Sequence, residues 1–217
     1  MGWRVPKDRR VGVKALLLLM AVLPLAAQDS FPKYNFSFGA GAGLPRGELR
    51  NLFADSPGLS VGFGYRFMRN FQADTGLDIL FGAAGVREFV PTDLGYLRIR
   101  DRQYMWPFGG RVVLPFKEGR VQASVGGGGV YLRYSERLSQ PSSYYRFECP
   151  NCTARSGWGT YGLAATSMAL DQSQRFRVGV TAKVYRGHTD GEAIGSVPGL
   201  RTRDMWVNLF ADLSVGF

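Results

Sequence analysis

The stretch from Met205 to Phe217, MWVNLFADLSVGF, constrains the fold more than any other part of the chain. Val207, Leu209, Ala211, Leu213, Val215 and Phe217 share one parity, while Trp206, Asn208, Phe210, Asp212, Ser214 and Gly216 share the other. A period of two with one oily face is the pattern of a β-strand that meets an apolar medium on one side. By itself it suits the last strand of a soluble β-sandwich as well as a membrane barrel, so the rest of the chain must decide.

The N-terminus speaks for export. Arg4, Lys7, Arg9, Arg10 and Lys14 stand against one acid, Asp8, and the run Ala15 to Leu23 is unbroken by charge. Leu25-Ala26-Ala27 then supplies a small-residue cleavage site before Gln28. Residues 1–27 are therefore expected to be a secretory signal, since the apolar run falls well short of the roughly 20 residues a spanning helix needs. Five basic residues and one acid leave with it, which lowers the formal charge by four, from +10 to +6. Export and the lack of any dense Lys/Arg block argue against nucleic acid as a partner. Nothing after Leu23 could cross a membrane as a helix, so a membrane form of residues 28–217 would have to be a closed barrel, the only sheet without unpaired edges.

Eight alternating segments follow. Tyr34, Phe36, Phe38, Ala40 and Ala42 share a face, as do Leu59, Val61, Phe63, Tyr65 and Phe67. The chain reverses at Arg69-Asn70 into Phe71, Ala73, Thr75, Leu77, Ile79 and Phe81. After a long polar stretch come Tyr104, Trp106, Phe108, Val112 and Leu114, then the primed-turn pair Glu118-Gly119, then Val121, Ala123 and Val125. The region from about Ser135 to Ser156 reads as a loop leading to an apolar face of Tyr161, Leu163, Ala165 and Ala169. A tight turn at Gln172-Ser173-Gln174 precedes Phe176, Val178, Val180, Ala182 and Val184, and a loop from Gly187 to Thr202 precedes the closing strand. Connections thus run long, short, long, short, long, short, long. Segments of about 9–11 residues in even number, with short turns on one side and long loops on the other, match a transmembrane barrel; a sandwich has no reason to alternate its loops so regularly. Tyr34, Phe67, Phe71, Phe176 and Phe217 would form the periplasmic aromatic girdle, and Phe81, Tyr104, Trp106 and Tyr131 the outer one. The run Gly126 to Gly129 could host a bulge that shifts parity.

On this pattern, topology and closing aromatic strand, residues 28–217 resemble the small eight-stranded bacterial outer-membrane β-barrels, the OmpA/OmpX type. The resemblance implies an all-β fold: an eight-stranded antiparallel up-and-down transmembrane β-barrel with short periplasmic turns and long extracellular loops. It also implies a place in the outer membrane of a Gram-negative-type cell, a monomer, and Phe217 as the membrane-insertion signal read by the barrel-assembly machinery.

The same parity sends Arg66, Asp74, Asp78, Arg111, Arg175, Arg177, Lys183 and Asp212 inward. An eight-strand barrel is just wide enough for side chains to fill it, so these charges should pair and plug the lumen. Arg66 with Asp74, and Lys183 with Asp212, lie on neighbouring strands and are the expected pairs.

Candidate chemistry is thin. Cys149 and Cys152, the only cysteines, lie in one long loop and in an oxidising compartment would form a small disulfide; redox or zinc chemistry would need partners that are missing. His188, the only histidine, reads as an exposed loop residue. The enzymatic alternative is a lipid A acylhydrolase or acyltransferase, which would need a serine and a carboxylate assembled around His188 from distant loops. No metal or cofactor is expected. Function is expected to be non-enzymatic, a structural or surface-interaction role through loops whose extracellular partner the sequence does not name. The remaining partners are outer-membrane lipids and lipopolysaccharide: Arg98, Arg100 and Arg102 extend the parity of Tyr104, Trp106 and Phe108, and the Glu118-Gly119 turn sets Arg133 opposite Tyr104, a cluster suited to bidentate phosphate contact at head-group height.

Overall fold

The computed structural model describes residues 31–51, 53–82, 89–92, 95–139, 154–191 and 201–217, with the backbone alone for 89–92, 95–101 and 136–139. The expected signal segment 1–27, Cys149 and Cys152 lie outside the described residues. Among the described residues nine strands follow one another: β1 Tyr34–Arg46, β2 Ser56–Met68, β3 Phe71–Gly82, β4 Phe89–Thr92, β5 Gly95–Phe116, β6 Val121–Ser139, β7 Ala154–Ala169, β8 Phe176–Asp190 and β9 Thr202–Gly216. Every pairing is antiparallel to a sequence neighbour, β1 pairs with β9, and β3 pairs with β5, so eight strands close into a barrel. The four-residue β4 pairs only with the upper part of β5 and stands above the wall. Among the described residues no helix is long and apolar enough to cross a membrane.

Alternation decides which side each residue faces. On β9 Leu209, Leu213 and Phe217 are exposed, while Trp206, Asn208 and Phe210 are buried inside. The outward rows of β1, β2, β3, β5 and β8 follow the same rule, with Phe36, Phe38, Val61, Phe63, Phe81, Phe108, Val178 and Val180 all exposed. Aromatics gather at both ends of this belt. Tyr34 stacks on Phe217 at 5.8 Å and Phe67 on Phe71 at 6.4 Å near the short turns. Near the long loops, Trp158 packs against Tyr131 at 5.0 Å and edge-on to Phe108 at 6.1 Å.

The turns carry their own chemistry. Glu118 and Gly119 both adopt positive φ, 57° and 86°, as a primed hairpin turn requires, and Arg120 N–H donates to Lys117 C=O at 3.1 Å. The register that follows runs without a break from Phe116↔Val121 to Arg98↔Ser139 and sets Tyr104 opposite Arg133. The glycine run therefore holds no bulge. The irregularity lies between Arg66 and Met68 on β2, where it turns Met68 outward. The β3–β5 ladder skips Gly76 and Leu77 opposite Pro107 and Trp106, because Pro107 has no N–H to give; Trp106 Nε1–H instead donates to Thr75 Oγ1 at 3.2 Å.

Several expectations need correction. Tyr161 and Leu163 point into the lumen, not to the outside, and Thr160, Gly162, Ala164, Thr166 and Met168 form the outer face of β7. The apolar contrast on this strand is weak, and lumen volume settles it: the register places Tyr161 beside Gly128 and Leu163 beside Gly126, so two large side chains fill the space two glycines leave. Strands β6 and β8 also run further than expected, to Ser139 and Asp190, which takes residues out of the two long loops. His188 accordingly sits on β8, not in a loop.

Candidate functional site

The lumen has three tiers. At the short-turn end, Asp74 accepts from Arg111 Nε at 2.5 Å and from Gln72 Nε2 at 2.6 Å. Arg177 donates to the carbonyls of Gly119 and Arg120, and Arg66 is buried beside them with no hydrogen-bond partner for its Nε. These groups border a polar cavity of about 80 Å³, room for several waters.

In the middle tier Asp78 is fully buried and collects four donors: Lys183 Nζ at 2.6 Å, Ser60 Oγ at 2.7 Å, Tyr185 Oη at 2.7 Å and Asn208 Nδ2 at 3.4 Å. Lys183 also donates to Ser60 at 3.0 Å and sits 5.4 Å from the centre of the Phe210 ring. A buried carboxylate is tolerable only with such a set of partners.

The tier nearest the long loops is mostly apolar. Leu80, Met105, Val130, Leu132, Tyr134, Trp206 and Phe210 are buried together. The connection after β1 enters the mouth: its short 3-10 turn, Gly47–Asn51, buries Leu49 completely, and Phe53 packs at 5.5 Å from Tyr134 and 5.8 Å from Trp206. A polar chain runs alongside, from Trp206 Nε1–H to Tyr134 Oη at 3.2 Å, from Tyr134 to Asp204 at 3.1 Å, and from Thr202 to Asp204 at 2.7 Å.

Of the eight charges expected inside, Arg66, Asp74, Asp78, Arg177 and Lys183 are buried, and Arg111 and Asp212 are part-buried. Arg175 is not among them; it lies in the turn before β8, exposed, with its N–H on the Asp171 carboxylate at 3.2 Å. The partners also differ from those expected. Asp74 pairs with Arg111 rather than Arg66, and Asp78 pairs with Lys183 in place of Asp212. Strands consecutive in sequence suggest the other pairs; Asp74 instead meets Arg111 on its other neighbour, β5, where Arg111 lies opposite Gln72, while Asp78 and Lys183 meet from well-separated strands across the narrow lumen. Asp78, Tyr185, Trp206 and the Leu49–Phe53 wedge were not singled out in the sequence as a unit; the one available signal was Trp206 and Phe210 on the otherwise polar face of β9.

Outside, Arg102 and Arg133 are exposed, and the backbone register carries Arg98 and Arg100 above them. A second outward group was missed. Arg186, Met205 and Arg46 lie side by side across β8, β9 and β1, with Arg203 two residues from Met205, and all four are exposed. His188 stands between Trp158 and Arg203 in the same outer rim.

No protein-family model and no curated protein matches this chain in sequence. Solved structures do match in fold. OprG from Pseudomonas aeruginosa aligns over 87% of this chain and 99% of its own, at 14% identity and TM-score 0.57. Neisserial surface protein A aligns over 87% and 100%, at 13% identity and TM-score 0.53. Ail of Yersinia pestis, solved with the heparin analogue sucrose octasulfate, aligns over 86% and 99%, at 10% identity and TM-score 0.51. With its eight-strand closure, outward apolar belt and alternating connections, the chain has the fold of the small eight-stranded outer-membrane β-barrels.

Proposed function

We propose that this protein is a non-enzymatic integral barrel of a bacterial outer membrane, exported by residues 1–27, with a plugged lumen and with its long loops meeting the exterior. The observation that carries this reading is the outward belt. Phe36, Phe38, Val61, Phe63, Phe108, Val180, Leu209 and Leu213 form a band around the barrel, far larger than the apolar patches a soluble monomer exposes and of the kind a lipid-facing wall requires. The filled upper lumen, with Leu49 and Phe53 in its mouth, supports a plug. The protein should therefore be recovered in the outer-membrane fraction, migrate differently on gels before and after heating, and conduct little in planar bilayers. Recovery as a soluble periplasmic protein would reject the membrane reading. Lipid A extracted from cells with and without the protein should carry the same acyl chains; a difference would replace this reading with the lipid A enzyme.

The arginine rim supports lipopolysaccharide as the bound partner. Arg98, Arg100 and Arg102 follow one another along β5 beyond Tyr104, Arg133 lies opposite Tyr104 and two residues beyond Tyr131, and Arg46, Arg186 and Arg203 provide a second group further round the barrel. Arginine suits phosphate because its planar fork donates two parallel hydrogen bonds. Changing Arg98, Arg100 and Arg102 together to Ser should reduce retained lipopolysaccharide in a salt-sensitive manner while the barrel stays folded. Unchanged retention at low and high salt would remove the site.

A further inference from the structure

We propose that Arg46, Arg186 and Arg203 hold one phosphate of a lipid A molecule on the outer wall of β8, β9 and β1, with the sugar that carries this phosphate lying against Trp158. The inference deepens the lipopolysaccharide reading above and rests on it. Arg186, Met205 and Arg46 are successive partners across three strands, and Arg203 precedes Met205 by two residues on β9. Neighbouring strands lie about 4.8 Å apart and alternate residues about 7 Å apart, so three long side chains start within about 10 Å of one another. All three are exposed. Arg98, Arg100 and Arg102, by contrast, are strung along a single strand.

Among the described residues none of the three forms an ion pair, and the side-chain hydrogen bond that Arg46 makes, to the carbonyl of its neighbour Pro45, is long at 3.5 Å. Three carboxylates share this rim. Asp190 pairs with Arg201 at 3.6 Å, Glu48 accepts the backbone N–H of Arg203 at 3.2 Å, and Asp55 is exposed just ahead of β2. They moderate the local potential but occupy none of the three guanidinium forks. The fork is what binds phosphate, because its planar N–H groups give parallel bonds to two oxygens. Three forks outnumber the two unesterified oxygens of a phosphodiester. They suit a phosphomonoester, which offers three oxygens and a charge of about −1.5 to −2.

What lies below and beside the arginines narrows the class. The next outward rows down the same three strands are Val184, Val207 and Leu44, then Ala182, Leu209 and Ala42. All six are apolar, as a lipid-facing wall requires, so an anion seated above them can carry acyl chains. To the other side, the row of Arg203 continues through His188 to Trp158 and Tyr131. Trp158 is 64% exposed, yet its ring packs 5.0 Å from Tyr131 and edge-on to Phe108 at 6.1 Å. A supported, exposed indole offers its negative face to the C–H edges of a sugar ring. A phosphomonoester joined directly to a sugar that bears acyl chains is the chemistry of lipid A, whereas a phospholipid has glycerol in that place.

The test is native mass spectrometry of the full folded barrel released from maltoside micelles and titrated with synthetic lipid A, phosphatidic acid or phosphatidylglycerol. Bound lipid is counted on the parent, on the triple variant Arg98→Ser, Arg100→Ser and Arg102→Ser, and on that variant with Arg46→Gln, Arg186→Gln and Arg203→Gln added. The parent should bind lipid A at several-fold lower concentration than phosphatidic acid, which has the phosphomonoester without the sugar, and phosphatidylglycerol should bind least. The triple variant should keep part of its lipid A, and the added changes should remove the rest. Trp158→Ala should bring lipid A down to the level of phosphatidic acid. No lipid A on the parent would reject the lipopolysaccharide reading and this site with it. Loss of all lipid A in the triple variant, or a residue of it that survives the added changes, overturns this site alone; so does equal binding of all three lipids. Phosphatidic acid as tight as lipid A, or lipid A binding unmoved by Trp158→Ala, overturns the glycolipid assignment. If the combined variant does not fold, Arg186→Lys with Arg203→Lys keeps the charges and removes two forks, and unchanged lipid A binding there overturns the proposal.

Discussion

Replacing Asp78 by alanine removes the acceptor on which the middle of the lumen converges. Lys183 would then keep its ammonium in a space where its remaining partners are the Ser60 hydroxyl, the Phe210 ring and, through charge alone, Asp212, and Tyr185 and Asn208 would each lose an acceptor. Removing one member of a buried ion pair costs about 3–5 kcal/mol, and each stranded neutral donor about 1 kcal/mol more where no water replaces the lost bond. Water from the cavity below can rehydrate Lys183 in part, which brings the expected loss to the lower end, about 3 kcal/mol. The double change Asp78→Leu with Lys183→Met removes both charges together and should lie within about 1 kcal/mol of the parent, because most of the single-mutant loss comes from the orphaned charge and not from the pair itself. Urea unfolding of barrels in lipid vesicles, followed by tryptophan fluorescence and by migration of unheated samples, measures both. A single mutant that loses under about 1 kcal/mol, or a double mutant as unstable as the single, would refute the assignment of Asp78 as the charge partner of Lys183.

Other perturbations read other parts of the molecule. Leu49→Asp places a charge in the apolar mouth and should undock the wedge, raising conductance in planar bilayers; an unchanged conductance would show that the wedge is not the plug. Phe217→Asp should change stability by only about 0–1 kcal/mol, since charges cost little near an interface, yet should lower outer-membrane levels because recognition during assembly fails; normal levels would dismiss the insertion-signal role. In the turn before β8, hydrogen bonds from Ser173 and then from the Phe176 and Arg175 N–H groups hold the Asp171 carboxyl below its ordinary range. A depressed folded pKa means that this turn is fully supported above the ordinary carboxylate pKa and loosens as pH falls through the lower, folded value. The protection of the Phe176 amide against exchange, relative to its intrinsic rate at each pH, should therefore fall in acid in the parent, and Asp171→Ala should show low protection at every pH; pH-independent protection in the parent would reject this capping role.

The period-two pattern of Met205 to Phe217 and the alternation of short and long connections determined the barrel, its strand order and the face of nearly every strand, because an apolar outer face and a narrow lumen inside impose the same two-residue rule on all of them. The exception, β7, shows where that rule stops: an outer face of Thr, Gly and Ala has no apolar contrast, and only the empty space beside Gly126 and Gly128 turns Tyr161 and Leu163 inward. The eight-residue list of inward charges was legible apart from Arg175, which the turn carries out of the strand. Their partners were not, since Asp78 and Lys183 are 105 residues apart and meet across the lumen. Which connection enters the mouth was equally closed to sequence reading. Leu49 and Phe53 look like stray apolar residues in a polar loop, and only the pocket formed by Tyr134 and Trp206 from two distant strands gives them somewhere to go.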